Sequence, residues 1–168
     1  MKTFLISDTH FGHANILTFK DEEGNFIRPG FKDIKEHDQI LIDNWNNVVS
    51  NHDKIYHLGD IGLTSFSYTK RIFDSLKGEK ILIKGNHDGL KLSQYAQMFK
   101  DVRAYHVLDK FLLSHIPIHP DSLSRWKANI HGHVHAHSLP DSNYYNVSVE
   151  VIKYTPIEFE EIRKFYEA

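Results

Sequence analysis

Apolar residues come in short runs, and each run stops abruptly at an Asp, Asn, His or Gly. Five of these runs read as strands: TFLIS before Asp8, KIYHL before Gly59 and Asp60, EKILIK before GNHD at 85–88, KFLLS before His115, and ANI before HGHVHAH at 131–137. Between them the apolar spacing turns helical. From Asp33 to about Val49, Asp33 and Glu36 form a capping-box pattern, and Ile34, Leu41, Trp45 and Val48 share one face. Ser65 to Lys77, closed by Gly78, predicts a second helix, and a third is expected from Thr155 to the end, with Pro156 at the first helical position and Glu158 completing another capping box. Residues 102–114 instead predict a hairpin turning near Asp109.

In an open α/β sheet, ligands bind outside the carboxyl ends of the strands. The polar clusters occupy that end of every predicted strand, so five of them should meet on one rim. No tandem repeat, low-complexity tract or linker interrupts the 168 residues, and one domain over 1–168 with one active site is expected.

Composition narrows the chemistry. With no cysteine, neither a disulfide framework nor a thiolate metal site can form, so any metal must be held by nitrogen and oxygen. A net charge of −2 argues against a surface for long nucleic acid, though a short nucleotide fits. The apolar run at the N-terminus is too short for a signal peptide or a membrane span, which makes the cytoplasm the expected location. The anomaly is the 13 histidines. Four of them, His131, His133, His135 and His137, alternate in HGHVHAH, which alone would read as a surface metal trap or a chance run.

Asp8, His10, Asp60, Asn86, His115, His133 and His135 are a mixed carboxylate, amide and imidazole set of seven. A single ion would not use so many side chains and leave room for substrate, whereas two ions sharing a carboxylate would. In order and spacing, Asp8 and His10 (D-x-H), Gly59 and Asp60, GNHD at 85–88, His115, and GHVH at 132–135 resemble the calcineurin-like metallophosphoesterase superfamily. That resemblance implies an α/β fold of two packed β-sheets flanked by helices, a four-layer αββα sandwich, with two divalent metal ions on its rim. One ion would lie on Asp8, His10, Asp60 and His135, the other on Asp60, Asn86, His115 and His133, with Asp60 as the bridge. The donors suit Mn²⁺, the first choice, as well as Fe²⁺, Ni²⁺ or Zn²⁺. It further implies His87 as an unliganded catalytic histidine, oriented through its ring by Asp88, and metal-hydroxide attack on phosphorus. The expected substrate is a small phosphodiester or phosphomonoester, with nucleotides among the candidates.

The second motif reads GDIGLTS, with Leu63 where the protein phosphatases of that superfamily carry a second aspartate, so a protein phosphatase is not expected. The same fold also resembles a retromer subunit that serves protein contacts without catalysis; the intact ligand set and His87 weigh against that reading. Among the remaining residues, His13 is a candidate substrate contact, as is Arg28, whose guanidinium matches phosphate but could equally be a solvated charge. His131 is expected to pack or hydrogen-bond at its strand end, and His137 to be solvated. His57 and His119 should sit in the core or behind ligands, and His37, His52 and His106 on the surface. Residues 19–31 could be a lid or a plain connection.

Overall fold

The computed structural model describes residues 1–168. Strands β1 (Thr3–Ile6), β2 (Lys54–His57), β3 (Glu79–Ile83) and β4 (Asp101–Arg103) form a parallel sheet in the order β4-β3-β2-β1, and β9 (Ile157–Glu158) adds an antiparallel edge beside β1. The second sheet runs β5 (His106–Leu108), β6 (Phe111–Leu113), β7 (Ala128–His131) and β8 (Tyr144–Asn146), with β5–β6 antiparallel and the other pairs parallel. Two mixed sheets flanked by helices make the expected α/β architecture.

The unbroken apolar runs follow from burial on both faces, as parallel strands between layers require. In β1, Phe4 and Ile6 face helices α1 (Ile34–Val48), α2 (Phe66–Ser75) and α3 (Leu92–Tyr95) through Leu41, Trp45, Phe73 and Tyr95, while Leu5 faces the second sheet. Tyr56 and Ile81 join Leu5 against Phe111, Leu113 and Ile130, so the layer between the sheets is itself a core. Helix α4 (Phe159–Glu167) adds Phe159 and Ile162 to it. The sheets are stitched where Ser7 N–H donates to Val147 O and Val149 N–H donates to Ser7 O, at 3.0 and 3.1 Å. Segment 147–150 is thereby set against the end of β1. No helix is long and apolar enough to cross a membrane.

The hairpin predicted over 102–114 is present only as β5 and β6, since Val102 and Arg103 pair with β3 in the first sheet; its turn holds Asp109 and Lys110 at φ 44° and 68°, the doubly left-handed geometry that suits strand twist. Asp33 caps helix α1 by accepting from Glu36 N–H, the one half of the expected capping box that forms. Its buried face differs: it carries His37, Asp38, Leu41 and Trp45, while Val48 is exposed and Val49 buried. His37 stands one helical turn before Leu41 and so must face inward with it, contrary to the surface position expected. The last helix also starts later than expected, because Ile157 and Glu158 pair with Leu5 and Phe4 to close the sheet edge before it begins.

Leu5 is fully buried between the sheets, and Leu92 is 69% exposed. Leu5→Ala should cost about 2–5 kcal/mol in denaturant unfolding and Leu92→Ala within about 0.5 kcal/mol. Equal effects would contradict this two-faced core.

Candidate metal centre

Three of the strands that end on the rim, β1, β2 and β7, deliver their polar clusters through left-handed turns, whereas Asn86 after β3 and His115 after β6 do not need one. Asp8, His10, Asp60, His133 and His135 all have left-handed backbone, at φ 60°, 47°, 55°, 71° and 51°. Such conformations cost about 1–3 kcal/mol each in a residue with a side chain, and Asp and His enter them more readily than most. Here the loops after β1 and β2 hold each other in place: Asp8 N–H donates to Gly59 O, His10 N–H to Asp60 O, and Phe11 N–H to Ile61 O, all at 2.9–3.1 Å. The result turns successive side chains into one space.

The Asp8 carboxylate is fully buried and unequally treated. Its Oδ2 accepts from Ser7 Oγ at 2.6 Å, His133 N–H at 2.9 Å and Ser148 Oγ at 3.2 Å. Its Oδ1 has no hydrogen-bond partner and faces His10 Nε2 at 3.7 Å and His135 Nε2 at 3.9 Å. Burial alone would raise this carboxyl's pKa, but His10, His115 and His135 outweigh it and hold it well below the usual carboxylate range. Gly132 is required here, because a Cβ would overlap Ser7 Oγ and Asp8 Oδ2.

Ring orientation follows from what the other ring nitrogen does. His135 Nδ1–H donates to Glu150 Oε1 at 2.8 Å, which turns Nε2 towards Asp8. His115 Nδ1–H likewise donates to Leu58 O at 2.6 Å, which turns Nε2 into the site. That nitrogen is 2.9 Å from Asn86 Oδ1 and 3.4 Å from Asp60 Oδ2, and His133 Nδ1 is 3.1 Å from the same Asn86 oxygen. Asp60 Oδ2 stands 3.7 Å from His10 Nε2 as well, so one oxygen is shared between the two groups. Its partner Oδ1 is occupied by His87 N–H at 2.9 Å.

Two clusters result, Asp8–His10–His135 and Asp60–His115–His133, each with its ligand atoms within 4.8 Å of one another. Two donors each ~2.1 Å from a tetrahedral ion stand ~3.4 Å apart, comparable to the separations here. A buried carboxylate oxygen and a buried imidazole nitrogen, Asp8 Oδ1 and His10 Nε2, would be costly without a partner, and a divalent cation is the partner that a nitrogen and oxygen set of this kind fits.

Several residues lie elsewhere than the sequence suggested. Arg28 is buried, not solvated or turned to a substrate: it donates to Asp8 O at 2.6 Å and Thr9 O at 3.1 Å, and pairs with Glu150 Oε1 at 2.8 Å. It also lies 3.0 Å from His37 Nε2, whose Nδ1–H donates to Asp38 Oδ1 at 2.8 Å. Asp38 in turn accepts from Gly12 N–H and from Tyr68 Oη. A buried chain thus runs from His135 through Glu150, Arg28, His37 and Asp38 beneath the 8–12 loop, and burial keeps the His37 pKa low. No motif spacing pointed to Glu150, which reaches the site only through the stitching of segment 147–150 to β1.

Asp88 has its carboxylate on the backbone, accepting from Asp60, Ile61 and Gly85 N–H at 2.7–2.9 Å, and not on the ring of His87. It clamps two ligand loops together. His87 is exposed, with its ring 6.0 Å from that of His10. His13 sits beside His10, their Nδ1 atoms 3.2 Å apart. His57 is buried behind the ligands, its pKa pushed down to about 3 by burial, with Nε2–H donating to Thr9 Oγ1 at 2.8 Å. His131 is buried at its strand end, donating to Gly132 O, and His137 and His52 are exposed. His106 is half-buried, stacked on Tyr56. His119 is exposed, since it caps a short 3-10 turn facing water and does not reach the ligands. Residues 20 and 26 bridge across a small antiparallel turn in the 19–31 segment.

Residues 1–149 match the family model of the calcineurin-like phosphoesterase superfamily domain. The chain is 38% identical to an uncharacterized protein of Methanocaldococcus jannaschii over 99% of its own length and 92% of that protein's. It is 37% identical to the Gene 66 protein of Mycobacterium phage L5 over 52% of its length and 40% of the phage protein's. The crystal structure of a protein of unknown function from Aquifex aeolicus superposes with a TM-score of 0.74 at 28% identity, covering 98% of both chains.

Removing Arg28 would take the guanidinium from the buried Glu150 carboxylate and leave it only the imidazole of His135. Arg28→Ala should therefore lose about 3–5 kcal/mol of unfolding free energy in metal-free protein. A loss below about 0.5 kcal/mol, measured by urea unfolding, would show that the network does not support the site.

Proposed function

The chain belongs to the calcineurin-like phosphoesterase superfamily, and from that premise we propose that it hydrolyses a small phosphate ester, a phosphodiester or phosphomonoester with nucleotides among the candidates, using two divalent metal ions. The observation that carries this reading is the bare, buried pair Asp8 Oδ1 and His10 Nε2 beside a carboxylate oxygen of Asp60 that faces both ligand groups. Asp8, His10, Asp60 and His135 would hold one ion, and Asp60, Asn86, His115 and His133 the other. Manganese is the first ion to test, with iron, nickel and zinc as the other ions suited to these donors. When bound, such a pair supplies Lewis acidity, lowering the pKa of water towards neutrality and offsetting charge on the phosphoryl oxygens.

The remaining work falls to side chains. His87 is tethered through its backbone to Asp60 while its ring reaches solvent, a placement suited to giving a ring proton to the departing alkoxide oxygen. Asp88 holds the 85–88 turn against Asp60, so it positions His87 through the backbone. His13 can extend the rim beside His10 towards substrate. Arg28 and Glu150 act as positioning residues for Asp8 and His135.

The test is reconstitution. Protein stripped by a chelator and returned to Mn²⁺, Ni²⁺ or Zn²⁺ singly should hydrolyse bis-p-nitrophenyl phosphate or p-nitrophenyl phosphate. A nitrophenolate leaves without a proton, so His87→Ala should spare those esters and lower kcat about 10²- to 10⁴-fold on a diester with an alkyl leaving group. No turnover with any metal would overturn the enzymatic reading.

A further inference from the structure

Beside the second ligand group, a cavity of about 630 Å³ opens against Asn86 and His115. Its other walls include Tyr105, Ile116, Ile118 and Trp126. Tyr105 lies between β4 and β5, where the chain crosses from the first sheet to the second, and is 61% exposed; Ile116 is 50% exposed. Large apolar side chains kept in water around one concavity mark a place that a ligand covers, and this volume is that of a small-molecule site.

The wall is also built. Ser114 Oγ donates to Ile116 O at 2.7 Å, and buried Asn129 donates to that Ser114 Oγ at 2.9 Å. Ile118 N–H donates to Asn129 Oδ1 at 3.0 Å, and Tyr144 Oη donates to Ile118 O at 2.6 Å. The 114–118 loop is therefore anchored to β7 through Asn129 and held in shape before anything binds.

His87 does not line this cavity. It borders a different, smaller one with Leu63 and Leu90, and its ring neighbours His10. A phosphate on the rim can thus send one ester arm towards His87 and the other into the cavity, whereas a monoester has only one arm to place. Two aromatic side chains line it, a kind of wall on which a planar base can stack, and Lys84 and Ser122 bring donors to the same cavity.

We propose that this cavity binds the retained arm of a nucleoside phosphodiester, its base against Tyr105 and Trp126, which makes the chain a diesterase that releases a nucleoside monophosphate. Resting on the phosphoesterase reading above, the step consumes one water. Its oxygen bonds to phosphorus, the P–O bond to the leaving alcohol breaks, and a proton ends on that alcohol's oxygen.

Two diesters with one leaving group separate the claims: methyl p-nitrophenyl phosphate and the p-nitrophenyl ester of thymidine 5′-phosphate, both assayed with the manganese-reconstituted full chain. The thymidine ester should have kcat/KM at least about tenfold higher, through KM, and Tyr105→Ala or Trp126→Ala should each bring the two substrates towards parity. Parity in the wild type, or a preference that survives in both variants, overturns the cavity assignment while leaving the phosphoesterase reading intact. If neither ester turns over, binding decides: thymidine 5′-phosphate should quench the fluorescence of Trp126 saturably, the other tryptophan, Trp45, being fully buried in the core. The quench should vanish in Trp126→Phe and weaken in Tyr105→Ala; no saturable quench overturns the proposal.

Discussion

The site depends on the unequal environment of the two oxygens of Asp8. Three donors from three parts of the chain, Ser7, His133 and Ser148, converge on Oδ2, while Oδ1 is buried with nothing to accept from. The bonds to Oδ2 fix the plane of the carboxylate, so Oδ1 has one direction available, towards His10 and His135. The same bonds join the end of β1 to the GHVH turn and to the segment after β8. A candidate ligand and a fold junction are one residue.

Around that junction, unfavourable local geometry is offset by neighbours. Five candidate ligands sit in left-handed backbone, and what holds them is mutual: the 8–11 loop bonds to 59–61, Asp88 bonds to Asp60 and Gly85, and Gly132 leaves the space in which His133 N–H meets Asp8. Beneath the loops, Arg28 and Glu150 carry opposite charges out of water together, and each also contacts a group that the centre needs in place. Strain on this scale persists only when surroundings over-determine it. The candidate site is thereby tied to both sheets, since its residues come from β1, β2 and β3 on one side and from β6 and β7 on the other.

Much of this was legible in the residues themselves. The apolar runs that end in Asp, Asn, His or Gly marked the strands and their carboxyl ends, because parallel strands buried on both faces need unbroken apolar sequence and loops carry the chemistry. Asp33 and Ser65 marked helix starts by their capping bonds. What escaped were features set by tertiary packing. Arg28 read as a substrate contact or a solvated charge because nothing local says that Glu150, 122 residues away, will face it. His37 had its helical phase written beside Leu41, yet its polarity suggested water. The 157–158 strand was masked by a good helix start at Pro156, since an edge left open by β1 is not a local property. Asp88 sat in the right motif with a different job, bonding backbone where a ring had been expected.

The account stands on two ions sharing one aspartate oxygen, and anomalous diffraction from crystals soaked in Mn²⁺ reads that directly. It predicts two peaks per chain, one bounded by Asp8 Oδ1, His10 Nε2 and His135 Nε2, the other by Asn86 Oδ1, His115 Nε2 and His133 Nδ1, with Asp60 Oδ2 between them. A single peak, or two peaks of which only one touches Asp60, would contradict it.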